Sequence, residues 1–167
     1  MKLIVKTLLI GLVVLISSCG IYNFRGANIP DDVQTFSVGF FSNEASYVNP
    51  SLAVDLTEKL KTKFQTETSL NLKSEEGDYQ ISGVIKRYEI TPAALNAQTG
   101  AAQTQFSITV TVDFTCPKHS EKDFSRDFTS STTFNATTEF TSVESSLTQE
   151  LTEIIVQQIF AAIALDW

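Results

Sequence analysis

Apolar and polar residues alternate in several stretches of the chain and follow helical spacing in others, and this contrast predicts the elements. Over residues 35–41, Phe36, Val38 and Phe40 alternate with Thr35, Ser37 and Gly39, the period of a strand. Asn49 stands as an N-cap before Pro50, whose missing N–H costs nothing at a first helical position. Leu52, Leu56, Leu60 and Phe64 then form a stripe every four residues, with Asp55, Lys59 and Lys63 on a solvated face, which predicts a helix of roughly four to five turns. Residues 70–73 form a short strand candidate. Because a helix separates it from the first strand, a right-handed crossover would pair the two in parallel.

Residues 78–90 carry Tyr79, Ile81, Gly83 and Ile85 on one parity and Val84, Tyr88 and Ile90 on the other, so neither face is wholly polar. Residues 105–116 give a cleaner pattern. Phe106, Ile108, Val110, Val112, Phe114 and Cys116 alternate with Gln105, Ser107, Thr109, Thr111, Asp113 and Thr115, predicting a long half-buried strand. A polar turn, Pro117-Lys118-His119-Ser120-Glu121, precedes Phe124, Phe128 and Phe134, which share one parity, so the two segments should form an antiparallel hairpin. The connection over 91–104 is small and uncharged. From about residue 142 to 164, Val143, Leu147, Leu151, Ile154, Ile155, Ile159, Ala162 and Ile163 mark a long amphipathic helix. This order predicts an α+β fold: a two-layer sandwich with a mixed four- to five-stranded sheet and two helices packed on one face.

The start of the chain reads as an address. Lys2 and Lys6 precede an apolar stretch over residues 7–16, too short for a spanning helix of roughly 20 residues but the length of a signal peptide core. Ile16-Ser17-Ser18-Cys19 closes it and resembles the bacterial lipobox, which implies cleavage before Cys19 and acylation of that cysteine. The expected organisation is a lipoprotein signal peptide over 1–18, a lipidated segment over 19–34 and one α+β domain over 35–167. Gly20 stands where many bacteria place an acidic inner-membrane retention residue, and no acidic cluster of the kind linked to surface export follows it. By those sorting rules the protein sits on the outer membrane and faces the periplasm.

Composition narrows the functions. Without Lys2 and Lys6, 10 basic residues face 19 acidic ones, a formal −9, which argues against a nucleic-acid partner. One His and two Cys leave no ligand set for a metal and little material for His-dependent catalysis. Cys116 continues the buried parity of its strand and reads as a core cysteine, although His119 lies three residues on. Glu75, Glu76 and Asp78 read as a solvated turn, since paired carboxylates need a cleft that the pattern does not indicate. No enzyme is expected, and no cofactor beyond covalent acyl chains on Cys19.

The ordered set of motifs resembles the lipopolysaccharide-assembly LptE family, in particular Bacteroidetes-like members. The resemblance rests on the run Cys19-Gly20-Ile21-Tyr22-Asn23-Phe24-Arg25-Gly26 and on Phe40-Phe41-Ser42-Asn43 before a Pro-started helix. It continues with Asp78-Tyr79-Gln80-Ile81-Ser82-Gly83, the strand from Phe106 to Phe114, and a C-terminal helix closing in Ile159-Phe160 and Trp167. It implies an outer-membrane lipoprotein that plugs an LptD-type β-barrel, supports its assembly and assists lipopolysaccharide export to the outer leaflet. The expected partners are therefore that barrel, lipopolysaccharide and, through the anchor, outer-membrane lipid. The interior of a large barrel is polar, and Thr109 and Thr111 would suit it; threonine is equally a common strand residue on any wet face. Lys86 and Arg87 within a strand, with Lys118, Lys122 and Arg126 on the hairpin, form a candidate basic edge for lipid A phosphates or acidic barrel groups. The same residues also read as a solvated face or as ion pairs with Glu89, Asp113 or Asp127. The alternative function is a periplasm-facing lipoprotein that binds or carries lipid without a barrel partner; an envelope hydrolase lacks a visible nucleophile and base.

Overall fold

The computed structural model describes residues 29–95 and 100–165, so the signal segment, Cys19, the aromatic run at 22–24 and Trp167 lie outside the described residues. The elements are β1 (Thr35–Val38), β2 (Ser42–Asn43), α1 (Leu52–Glu67), β3 (Asn71–Leu72), β4 (Tyr79–Ala93), β5 (Gln103–Thr115), β6 (Phe124–Asn135) and α2 (Phe140–Ala164). A short 3₁₀ turn, Ser120–Lys122, lies in the β5–β6 connection. The strands form one mixed six-stranded sheet in the order β3-β1-β4-β5-β6, with β2 also pairing to β4. The strand expected over 70–73 is β3, and the one strand beyond the expected five is the two-residue β2, too short for a period to register.

β1 pairs in parallel with both β3 and β4, so the expected crossover through α1 is present. β4, β5 and β6 form an antiparallel meander. Both helices pack on one sheet face and against each other, Phe64 of α1 meeting Phe160 of α2 edge-on at 5.1 Å. The core lies between these layers. It takes Phe36, Leu56, Leu60, Phe64, Ile81, Ile85, Phe106, Ile108, Val110, Leu151, Ile155 and Ile159, all within 1 % of full burial. Each such side chain contributes about 1.5–3 kcal/mol by leaving water.

Three sequence expectations are corrected by packing, and the mixed parity of β4 is explained by it. The alternation in β1 stops at Val38: Phe40 is 68 % exposed, and Phe41 is the buried ring. Phe41 fits there because Gly83 has no side chain; a Cβ on Gly83 would lie 2.5 Å from its ring and 2.4 Å from the Thr111 carbonyl oxygen. Asn49 does not cap α1. Its Oδ1 accepts from the N–H and hydroxyl of Ser51, an Asx turn across Pro50, and Ser51 is the N-cap. The mixed parity of β4 comes from a bulge. Ile85 pairs with Val110 and Arg87 with Thr109, leaving Lys86 as the extra residue, so Ile85 and Tyr88 both point to the helix face. In α2, Ile154 is exposed, and the buried stripe runs instead through Thr148, Leu151, Thr152, Ile155, Val156, Ile159, Phe160 and Ile163. Thr152 joins it at little cost because its hydroxyl donates to the Thr148 carbonyl one turn back.

Candidate functional site

The register separates the five candidate basic residues. Arg87 lies opposite Thr109, and Thr109 opposite Thr129, so these share the face away from the helices; Arg126 lies opposite Val112, on the helix face. Lys86 and Arg87 occupy the middle of β4. Lys86 pairs with Glu44 at 2.7 Å, and Arg87 lies 3.8 Å from Glu89 while donating to the Thr109 hydroxyl. Lys118, Lys122 and Arg126 gather at the other end of the sheet, around the β5–β6 turn. The five therefore form two groups and not one continuous edge.

The second group surrounds the more developed site. Lys118 Nζ lies 2.8 Å from Asp78 Oδ1 and also donates to the Asp32 carbonyl. Asp78 Oδ2 accepts from the backbone N–H of Gln34 and of Thr35 and from the Thr35 hydroxyl. The ammonium of Lys118, then those backbone donors, hold the Asp78 carboxyl well below the usual carboxylate range. Asp78 is thus a latch joining β1, β4 and the hairpin turn, where the sequence pattern suggested a solvated turn. Of the three acidic residues, Glu75 and Glu76 are exposed and Asp78 is half-buried. Beside it, His119 Nε2 is 3.1 Å from both carboxylate oxygens of Asp32, and that contact lowers the Asp32 pKa.

Cys116 lies beneath this cluster, fully buried, its backbone N–H bonded to Asp123 Oδ1 at 2.7 Å. Burial pushes its thiol up, the opposite of what a nucleophile needs. No group of three or more His, Cys, Asp or Glu placed to hold a metal occurs among the described residues.

Lys122 and Arg126 flank a cleft of about 310 Å³ whose floor is Phe114, Phe124, Ala162 and Ile163. The Arg126 guanidinium stands 5.0 Å over the Phe124 ring, a cation–π contact. Glu121 and Asp123 share the rim. The rim thus sets two cations and two carboxylates over an apolar floor. A second, more polar groove of about 620 Å³ runs between the helices and includes Tyr47, Asn49, Asp55, Lys59, Glu144 and Gln149. At its base the Tyr88 hydroxyl lies 2.7 Å from Glu144 and 2.8 Å from Thr148, and accepts from Asn49.

The sheet face away from the helices is rich in hydroxyls and also carries Arg87, Glu89, Asp113 and Asp127. Thr109 and Thr129 share a hydrogen bond at 3.0 Å, Thr111 donates to Asp127 at 2.6 Å, and Ser107, Ser131 and Thr133 continue the same face. No helix among the described residues is long and apolar enough to cross a membrane.

The model of the lipopolysaccharide-assembly LptE family matches residues 33–163. The chain belongs to the LptE family. The match spans every element of the fold, from the buried Val33 to Ile163 in the last turn of α2. Similar solved structures include a minor lipoprotein of Acinetobacter baumannii, 16 % identical, covering 80 % of this chain and 94 % of its own, with a TM-score of 0.53. The protein XCC0632 of Xanthomonas campestris is 14 % identical, with coverages of 78 % and 84 % and a TM-score of 0.53. Lipoprotein B of Nitrosomonas europaea is 11 % identical, with coverages of 76 % and 79 % and a TM-score of 0.52. At these identities the likeness establishes a common fold, the one expected of an LptE member. Among curated protein sequences, none matches the chain.

Proposed function

We propose that this LptE-family chain is a non-enzymatic outer-membrane lipoprotein, anchored by acyl chains on Cys19, that supports an LptD-type β-barrel and assists lipopolysaccharide export. The observation that carries the reading is the family match over residues 33–163. The geometry is compatible in two ways. A domain seated within a water-filled barrel needs a polar wall, and the face of β4–β6 supplies one, its serines and threonines interspersed with Arg87, Glu89, Asp113 and Asp127. The Lys122–Arg126 cleft, with its aromatic floor, offers the anionic head and acyl chains of lipopolysaccharide complementary surfaces. Lys86, Arg87 and Lys118, beside Glu44, Glu89 and Asp78, are the other contact candidates.

Co-purification from detergent-solubilised outer membranes tests this reading. A single large barrel partner supports it, and Cys19→Ala should lose membrane retention. Bound lipid without a partner would favour a carrier instead.

A further inference from the structure

The edges of the sheet are not alike. A strand edge left open in water templates pairing with other chains, and proteins blunt such edges by brevity, charge, proline or a bulge. β2 and β3 are two residues each. The part of β4 that extends beyond β2 carries the bulge at Lys86, the charges of Arg87 and Glu89, and Pro92. β6 has none of these protections along most of its length. It is a twelve-residue strand, pairs with β5 without a register shift, and is the last strand of the described sheet. Its charges, Arg126 and Asp127, stand near its start, and residues 128–135 include no charge and no proline.

That uncharged stretch is close to a palindrome: Phe128-Thr129-Ser130-Ser131-Thr132-Thr133-Phe134. We propose that β6 pairs antiparallel with β6 of a second copy of this chain, about a two-fold axis at Ser131, joining two sheets into one. In this register Phe128 faces Phe134, Thr129 faces Thr133, and Ser130 faces Thr132, twice each by symmetry. Aromatic and Thr–Thr cross-strand pairs are among the favourable ones. Asp127 meets Asn135 and Arg126 meets Ala136, so no like charges are opposed. Opposed residues have the same parity, which keeps the two helix layers on one side of the joined sheet.

The helix layer accommodates this. α2 lies over β5 and β6, so continuing the sheet at about 4.8 Å per strand sets the two α2 helices about 10 Å apart, an ordinary helix-packing distance. The isologous contact closes as a dimer and leaves no further open β6 edge. The inference rests on β6 and describes the chain outside a barrel, since the β4–β6 face proposed to sit within one includes this strand.

Cysteine placement in the full chain, purified in detergent, tests it. Ser131→Cys puts two thiols across the axis, with Cβ atoms about 5 Å apart, so mild oxidation should convert most of the protein to a disulfide-linked dimer. Ser125→Cys, on the same face but six residues from the axis, lies about 40 Å from its copy and should stay monomeric. Two charge variants supply a second readout. Thr129→Lys with Thr133→Lys opposes lysines twice and should reduce the solution mass to that of a monomer, whereas Thr129→Lys with Thr133→Glu should restore the dimer. Cross-linking of Ser131→Cys no stronger than that of Ser125→Cys, or a monomeric unmodified protein at tens of micromolar, would overturn the proposal.

Discussion

Lys118 Nζ lies 2.8 Å from Asp78 Oδ1, a pair that ties the β5–β6 turn to the start of β4. The same carboxylate accepts two backbone N–H groups at the entry to β1, so one side chain fastens three segments distant in sequence. Asp78→Ala should therefore destabilise the domain by about 2 kcal/mol, the loss expected for hydrogen bonds to a charged acceptor. The pH dependence has a fixed sign. A carboxyl whose folded pKa is depressed contributes fully above its unfolded value near 4 and loses that contribution as pH falls below it. Urea titrations of the parent protein between pH 7 and 3 should show falling stability, and Asp78→Ala should show a smaller fall.

The Tyr88 hydroxyl holds the base of the inter-helix groove, joining Asn49 to Glu144 and Thr148 of α2. Tyr88→Phe leaves the buried Thr148 hydroxyl without that partner and should cost about 1–2 kcal/mol in denaturant unfolding. Burial pushes the Tyr88 pKa up to about 12, above its unfolded value near 10. Its share of stability is complete below pH 10 and is lost as pH rises from 10 through 12; Tyr88→Phe should remove that part of the alkaline transition.

Gly83 gives up its side-chain space to Phe41. Gly83→Ala forces a methyl to within 2.5 Å of the Phe41 ring. The expected penalty is about 1–3 kcal/mol, read as a lower midpoint of thermal unfolding. Coupling Gly83→Ala with Phe41→Leu should recover part of it.

Much of the architecture was legible because burial on one face imposes a simple period. β5 shows this best, its five alternate apolar residues from Phe106 to Phe114 all buried, as is Cys116 directly after it. The helices and the parallel crossover followed from spacing alone. What the pattern hid were places where one residue changes the geometry. The bulge at Lys86 switches the parity of β4, and Gly83 lets Phe41 replace Phe40 in the core. The basic residues were recognisable as candidates, but their division between two regions depends on register, which a linear pattern does not contain. Asp78 was overlooked because its partners, Gln34, Thr35 and Lys118, are about forty residues away on either side. An aspartate directly before an apolar strand was the one available signal.

Cys116 and His119 carry no chemistry in this account. Cys116→Ala with His119→Gln should leave lipopolysaccharide export unchanged, with a core penalty of about 1 kcal/mol at Cys116. In the folded protein the Cys116 thiol should resist alkylation and become reactive only in denaturant, since it is fully buried. Loss of export by a folded double variant would contradict this.

The central claim is that the chain serves lipopolysaccharide assembly by supporting an outer-membrane barrel. The most direct measurement is to deplete it in cells and quantify, together, the assembled LptD-type barrel and the lipopolysaccharide exposed at the surface. The account predicts that both fall and that lipopolysaccharide accumulates away from the surface, with recovery on expression of the intact chain. A normal barrel level and normal surface lipopolysaccharide after depletion would contradict it.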